Sequence, residues 1–393
     1  MGRIISQYIK QVREAFRKGD MILLLMCIIV NAFGCLMISS ATEVYGSGRY
    51  LVIQICAALI GVFVFAIISS IDAEFLSEHR TVLIILNVFI LALLLPFGTD
   101  NGTGNRSWLS IPLLPFDIQP AEICKITYVL IMASVMNANQ NRLSSIPSVI
   151  QMVIHLGLVV GLNMVLSRDA GVSLIFVFIF IGMAFAGGVS LIWFLIAGGG
   201  IAVALPFIYE YVMDDYQRLR IQVLFDPELD PLGTGPRYHT MNSLRSLTGG
   251  GVFGQGLFEG TRTHTYGALY AQHTDYIFSA IGEELGYIGC FLVIAALVCI
   301  IARCIWVGNR SQDYMRRLIC YGVASAMIFQ IIVNVGMCIG VMPVIGLTLP
   351  FISYGGSSIV STFLMLGLVS GVFARPKSTS HERYIRPPQL YMD

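Results

Sequence analysis

Ten apolar runs dominate the chain, at about residues 21–41, 50–70, 81–97, 119–137, 147–166, 171–186, 189–212, 274–302, 317–342 and 351–373. A helix that crosses a bilayer needs roughly 20 predominantly apolar residues. In lipid the backbone must satisfy its own hydrogen bonds, which leaves helices as the fold for such runs. Composition agrees: 56% of the residues are hydrophobic, only 12% are charged, and the mean hydropathy is +0.77. A soluble domain carries roughly a quarter charged residues. The expected fold is an all-α integral membrane protein of about ten transmembrane helices. It divides into an N-terminal segment (1–20), a polytopic membrane domain (21–373) and a flexible tail (374–393).

Basic residues set the expected orientation, because short cytoplasmic loops carry an excess of Lys and Arg. With the N-terminus inside, 15 of the 24 basic residues fall on the cytoplasmic side, among them Arg80, Arg142, Arg303, Arg310, Arg316, Arg317 and Arg375. The short outer pieces hold Arg49, Arg106 and Arg168, with Lys125 just inside a helix start. An even number of spans places both termini in the cytoplasm and makes residues 213–273, between spans seven and eight, a long extracytoplasmic loop. That loop is rich in Gly, Asp and Arg and has no sustained helical or alternating pattern. The first apolar run follows Arg13, Arg17 and Lys18 and reads as an uncleaved helix. The nine cysteines lie within or at the ends of apolar runs, without the paired polar spacing of disulfide or metal frameworks. A net charge of +1 and the lack of a basic patch with interleaved aromatics exclude nucleic acid as a partner.

Ionisable residues inside spans are the next constraint, since burying one in a membrane costs several kcal/mol. In "FDIQPAEICKITYVL", Pro120 suits the first turn of a helix and Glu122 complements its positive end, whereas Lys125 opposes it. Glu122 and Lys125 are three apart and face each other, either as a structural ion pair or as a cation held beside a substrate phosphate. Arg168 and Asp169 form an outer turn, with Asp169 a ready N-cap for the next helix. The loop brings Arg218 and Arg220, then the glycine-rich "GGGVFGQG". Those glycines permit close backbone approach, but their spacing is not a nucleotide-binding pattern. In "YAQHTDYIFSAIGEELGYIG", Asp275 stands beside His273 at the threshold of span eight. Glu283 and Glu284 follow about 12 Å deeper along the helix. The glutamates suit a structural role, bonded to neighbouring backbone or Arg groups. The last span opens on Gly355, Gly356, Ser357 and Ser358, small residues suited to close helix packing or to offering N–H groups to an anion.

Taken together, "NRSW", "QPAEICKI", "DAG", "YQRLRIQVLFDPELDP", "RYHTMNSL", "GGGVFGQG", "HTDYIFSAIGEELGYIG" and "NVGMCIGVMPVIGLTLPFISYGGSS" resemble, in order and spacing, the SEDS family (shape, elongation, division and sporulation), to which RodA and FtsW belong. The resemblance spans most of the chain. It implies a peptidoglycan glycosyltransferase that polymerises lipid II at the outer face of the bacterial cytoplasmic membrane, for cell elongation or division. It puts the family's essential aspartate at Asp275, its tryptophan at Trp108, its Glu–Lys pair at Glu122 and Lys125, and its inter-span aspartate at Asp169. It also implies a class B penicillin-binding protein, a transpeptidase, as partner.

The residues fit such chemistry. A glycosidase needs two carboxyl groups because its sugar leaving group must be protonated. A lipid diphosphate leaves without an acid, so one carboxylate can serve as base on the incoming hydroxyl. Arg106, Lys125, Arg218 and Arg220 are candidate diphosphate clamps, with His273 beside the base. A divalent cation, Mg or Mn, could share their work, with Asp275 as its ligand instead of as base. Two other readings stay open: a lipid II flippase, and a non-catalytic scaffold that activates the penicillin-binding protein.

Overall fold

The computed structural model describes residues 19–375, apart from 47, 73–78, 100–105, 113, 232, 234 and 236. The expected segments 1–20 and 374–393 therefore lie almost wholly outside the described residues. Among the described residues ten helices are long and apolar enough to cross a membrane. They are α1 (Met21–Thr42), α2 (Arg49–Ser70), α3 (Arg80–Ala92, prolonged by a helical turn at Leu94–Phe97), α4 (Pro120–Ala138), α5 (Ile146–Leu166), α6 (Ala170–Gly187), α7 (Leu191–Phe207), α10 (Ile277–Arg310), α11 (Tyr314–Cys338) and α12 (Gly356–Ala374). Two further helices, α8 (Asp215–Phe225) and α9 (Tyr238–Gly250), stand between α7 and α10. The chain is a multi-pass membrane protein. Among the described residues the strands are a two-residue antiparallel pair, Gly98–Thr99 with Trp108–Leu109, ahead of α4.

The core inverts the soluble pattern. The less apolar α4, α11 and α12 are the buried helices, and no residue of the strongly apolar α7 is buried. Lipid rewards apolar surface, so polar side chains migrate to the centre, where other helices can satisfy them. Small residues then let helices touch. A Cβ on Gly367 of α12 would stand 3.1 Å from the Phe65 carbonyl of α2, and one on Gly61 of α2 would strike the Phe363 ring.

The loop of 213–273 departs from the sequence expectation, because it contains α8 and α9. Helix α8 starts with a capping box in which the Asp214 side chain accepts from the Gln217 N–H and the Gln217 side chain accepts from the Asp214 N–H. The buried face of α9 is Asn242, Ser243, Ser246, Leu247 and Gly250. Mostly small and polar, that face hides the 3.6-residue period from a reading of apolar residues alone.

Span eight is also not one helix. Gly286, at φ 68° and ψ −169°, breaks α10 and leaves backbone groups on both sides without intrahelical partners. The loop supplies four of these partners. Gln255 N–H donates to the Glu283 carbonyl (2.9 Å) and Gly256 N–H to that of Glu284 (3.0 Å). Across the break, Tyr287 and Ile288 N–H donate to the carbonyls of Gly251 (3.0 Å) and Val252 (3.3 Å). Only glycine can come so close: a Cβ on Gly254 would lie 2.1 Å from the Glu284 carbonyl oxygen. The "GGGVFGQG" run is thus explained by packing against this break.

Glu283 and Glu284 sit on the short helical piece before Gly286. Glu283 accepts from the N–H groups of Arg262 (2.8 Å) and Thr263 (3.0 Å) and from the Thr263 hydroxyl (2.7 Å). Glu284 accepts from the Ser40 hydroxyl (2.5 Å) and the Phe258 N–H (3.3 Å), and its Oε1 lies 3.0 Å from His264 Nε2. Both carboxylates are fastened to the loop, and Glu284 also to α1.

At the opposite end of the bundle, Arg303 binds Asp20 (2.7 Å) and Arg316 binds Asp72 (3.1 Å). Arg375 donates to the carbonyls of Ser70 (2.6 Å) and Ile71 (3.2 Å). Arg303 and Arg310 both lie over the Trp306 ring, at 4.2 and 4.3 Å. Basic residues that the charge rule assigns to the cytoplasm thus gather around one end.

Candidate functional site

A cavity of about 910 Å³ opens at the other end. Its wall comes from the starts of α2 and α4, the segment after β-strand residue Trp108, the α5–α6 turn, α8, α9, the turn before α10, α11 and the extended segment before α12. That volume is in the range of pockets that hold sizeable small molecules. Charge and aromatic surface alternate around it, with Arg49, Arg220, Asp117, Asp169 and Asp275 among Tyr50, Trp108, Phe116, Tyr270 and Tyr354.

Asp275 lies in the turn that precedes α10, one residue ahead of its N-cap, Tyr276. It is largely enclosed yet opens on the cavity. Its backbone carbonyl is hydrogen-bonded, but among the described residues its carboxylate has no hydrogen-bond partner. Burial alone pushes that carboxyl up to about 6, since a desolvated carboxylate prefers to be neutral. The turn is fixed by its neighbours: the Gln272 side chain donates to the carbonyls of Ala41 (2.5 Å) and Thr263 (2.9 Å). Ala271 takes the left-handed conformation, φ 48°, and its carbonyl accepts from the N–H groups of Thr274 and Tyr276.

On the far wall, Asp169 caps α6 through the Val172 N–H (3.0 Å) and accepts from the Gln119 amide (3.0 Å). Burial raises its carboxyl above the ordinary range, against the lowering effect of the Val172 N–H. Glu122 reaches the cavity from the first turn of α4 and also takes the Ser361 hydroxyl. Lys125 is fully buried behind it, its ammonium 2.8 Å from the Glu122 carboxylate.

The residues singled out in the sequence thus separate. Asp275, Trp108, Glu122, Asp169 and Arg220 converge on one cavity. Arg220 donates to the Val344 carbonyl (3.2 Å) and so anchors the segment below Asp275. Lys125 meets the cavity only through Glu122. Arg106 is exposed and lies off the wall. Arg218 folds back on α8 and its approach, donating to the carbonyls of Met213 (3.0 Å) and Glu210 (2.8 Å). His273 packs in an aromatic cluster, with ring centroids 4.8 Å from Tyr50 and 5.6 Å from Tyr354. Burial lowers its imidazole to about 4, so it is neutral there. The cavity also takes in Arg49, Asp117, Gln119, His239 and Gln330, which the sequence reading did not select for it. Gln330 is 1% exposed, and its amide oxygen has no hydrogen-bond partner. An uncharged side chain amid an apolar span gives little signal; Gln119 opens the motif "QPAEICKI" and Asp117 stands two residues before it, so both were within reach.

Known proteins share this architecture. The chain is 33% identical to a probable peptidoglycan glycosyltransferase FtsW of Trichlorobacter lovleyi, over 92% of its own length and 95% of the relative's. It is 30% identical to the peptidoglycan glycosyltransferase MrdB of Escherichia coli K12, over 92% and 94%. A solved chain from a peptidoglycan synthase complex, studied for its coordination of polymerization and crosslinking, matches with a TM-score of 0.77 at 26% identity, covering 94% of this chain and 99% of that one. The crystal structure of the Thermus thermophilus rod shape determining protein RodA matches with a TM-score of 0.67 at 25% identity, covering 94% and 98%. The family model for FtsW, RodA and SpoVE, described as a cell cycle protein, matches residues 20–377. The helical bundle is the fold of that family, and this chain belongs to it.

Proposed function

We propose that this chain is a peptidoglycan glycosyltransferase that polymerises lipid II, with Asp275 as the general base. The observation that carries the reading is a carboxylate with no hydrogen-bond partner among the described residues, held at the edge of a large mixed aromatic and charged cavity. A hydroxyl of the incoming sugar attacks the anomeric carbon of the lipid-linked sugar. The new C–O bond forms as the bond to the diphosphate breaks, Asp275 takes the hydroxyl proton, and the polyprenyl diphosphate leaves with its negative charge. A carboxyl near 6 is ionised at neutral pH yet basic enough to accept that proton. Arg220 and Arg49 supply positive charge along the wall. The aromatic rings offer faces on which sugars can stack.

Among the described residues no three His, Cys, Asp or Glu side chains are grouped to hold a metal ion. A Mg or Mn ion carried by the substrate diphosphate would neutralise its charge, and Asp275 would hold such an ion in place of acting as base. The basic end around Arg303, Arg316 and Arg375 faces the cytoplasm in this proposal, which puts both termini inside and the cavity outside. The partner is a class B penicillin-binding protein, in keeping with the synthase complex that the fold resembles. The cavity draws its wall from one end of the bundle, which favours polymerisation over passage of lipid II through the membrane.

The test is polymerisation of labelled lipid II by the purified full-length chain, alone and with its partner's transpeptidase site blocked. Glycan strands from the wild type and none from a folded Asp275→Asn variant support the reading. Retained polymerisation by that variant removes Asp275 from the role of base. No glycan from either preparation favours the scaffold.

A further inference from the structure

The backbone around Asp275 is held in an unusual way. Three consecutive carbonyls of its turn are each capped from α11 or the segment leading into α12. Tyr354 N–H donates to the His273 carbonyl (2.8 Å), the Ser353 hydroxyl to that of Thr274 (2.6 Å), and the Asn334 amide to that of Asp275 itself (2.9 Å). The same Asn334 nitrogen donates to the Leu347 carbonyl (2.7 Å). Leu347 belongs to the cavity-lining stretch 344–348, whose other end is held by Arg220 at Val344. Gly346 lies between those two anchors, and a Cβ on it would be 3.6 Å from Asp275 Oδ2. One amide thus ties the carboxylate-bearing turn to the wall on which that carboxylate rests.

Asn334 is wholly buried in α11, and among the described residues its own oxygen has no hydrogen-bond partner. An orphaned buried acceptor costs about 1–3 kcal/mol. A leucine of nearly the same shape would fill the site without that cost, so packing does not account for the residue. What leucine lacks is the pair of donors that two facing carbonyls require.

We propose that Asn334 is a positioning residue for glycosyl transfer: by donating to the carbonyls of Asp275 and Leu347 at once, it sets the direction in which the Asp275 carboxylate enters the cavity. The inference rests on the reading of Asp275 as base. Displacement of a reacting group by about 1 Å can cost on the order of 100-fold in rate, and loss of this amide removes the bond that ties the turn to the opposing wall.

The experiment compares the full-length wild type with Asn334→Leu and Asp275→Asn on lipid II, measuring kcat, KM, the pH profile and thermal unfolding in detergent. For Asn334→Leu the expected result is a fall in kcat of about 10- to 100-fold. KM stays within about threefold, the unfolding temperature falls only as far as two carbonyls without their donor require while the protein stays folded at the assay temperature, and the acid limb of the pH profile is displaced. Unchanged kcat and pH profile overturn the proposal. So does a variant whose loss of rate follows a loss of folded protein, which assigns Asn334 to stability. Full activity in Asp275→Asn would instead overturn the base itself, so the two failures are told apart. Ser353→Ala adds a second reading, because it frees the Thr274 carbonyl while leaving Asn334 in place. A smaller loss of kcat of the same kind supports the proposal, and a larger loss than that of Asn334→Leu moves the role to Ser353.

Discussion

Asp275 and Glu283 are eight residues apart in the chain, both acids at an apolar span, and they are opposites. The Glu283 carboxylate accepts three hydrogen bonds from the loop, whereas that of Asp275 accepts none among the described residues, although its backbone is held. Hydrogen bonding to a carboxylate offsets the cost of burying it, and the group becomes part of the scaffold. A carboxylate left unbonded in a scaffold otherwise fixed around it keeps its free energy for a ligand or a proton. Whether the backbone or the side chain takes the bonds separates a structural acid from a chemical one.

The largest expected effect tests the chemical side. Asp275→Asn should lower lipid II polymerisation by about 10²- to 10⁴-fold, read as glycan product, while thermal unfolding is unchanged. Glu283→Ala should do the reverse. It strands three buried donors, each worth about 1–3 kcal/mol, and should lower the unfolding temperature while activity per folded molecule stays close to that of the wild type. Equal losses of activity in both variants would break the contrast.

The pH dependence sharpens it further. With a carboxyl near 6, polymerisation should fall by about tenfold per unit below that pH and level off above it. The folded value lies above the unfolded value of about 3.9, so the folded state binds this proton more tightly. Its contribution to stability is therefore full below pH 4 and is lost as pH rises to 6, by up to about 3 kcal/mol. Asp275→Asn should lack that slope in an unfolding series, and Glu283→Gln should retain it. Gly254→Ala, which sets a methyl against the Glu284 carbonyl, should cost about 1–3 kcal/mol of stability by the same unfolding assay. The smallest effect is that of His264→Gln. His264 lies between Glu284 and the exposed Glu43, at 3.0 and 3.4 Å. Its loss should shift stability by about 1 kcal/mol or less.

Much of this was legible before any coordinates. Ten spans follow from run length alone, and the clustering of Arg303, Arg316 and Arg375 at one end follows from charge bias. Asp275, Glu122 and Asp169 stood out because acids at span edges are costly. The break at Gly286 was not legible, because a glycine inside an apolar run has no local mark that distinguishes packing from a kink. The α9 helix was missed because its buried stripe is Ser and Asn. Arg218 and Arg220, two apart on one helix, read as equivalents, yet successive positions on a helix face different ways, and only Arg220 reaches the cavity. Gln330 and His239 reach it through tertiary convergence of α11 and α9, which no spacing within either segment reveals.

The interrupted tenth helix has a consequence for biogenesis. The loop segment that completes it, residues 251–256, precedes its partners Glu283–Ile288 in the chain by only about thirty residues, a short loop to close. During synthesis that segment emerges before the helix that needs it. The break can therefore heal as soon as Glu283 and Tyr287 arrive, before α11 and α12 have been made. The nascent chain carries its own template for the one membrane segment that cannot finish itself.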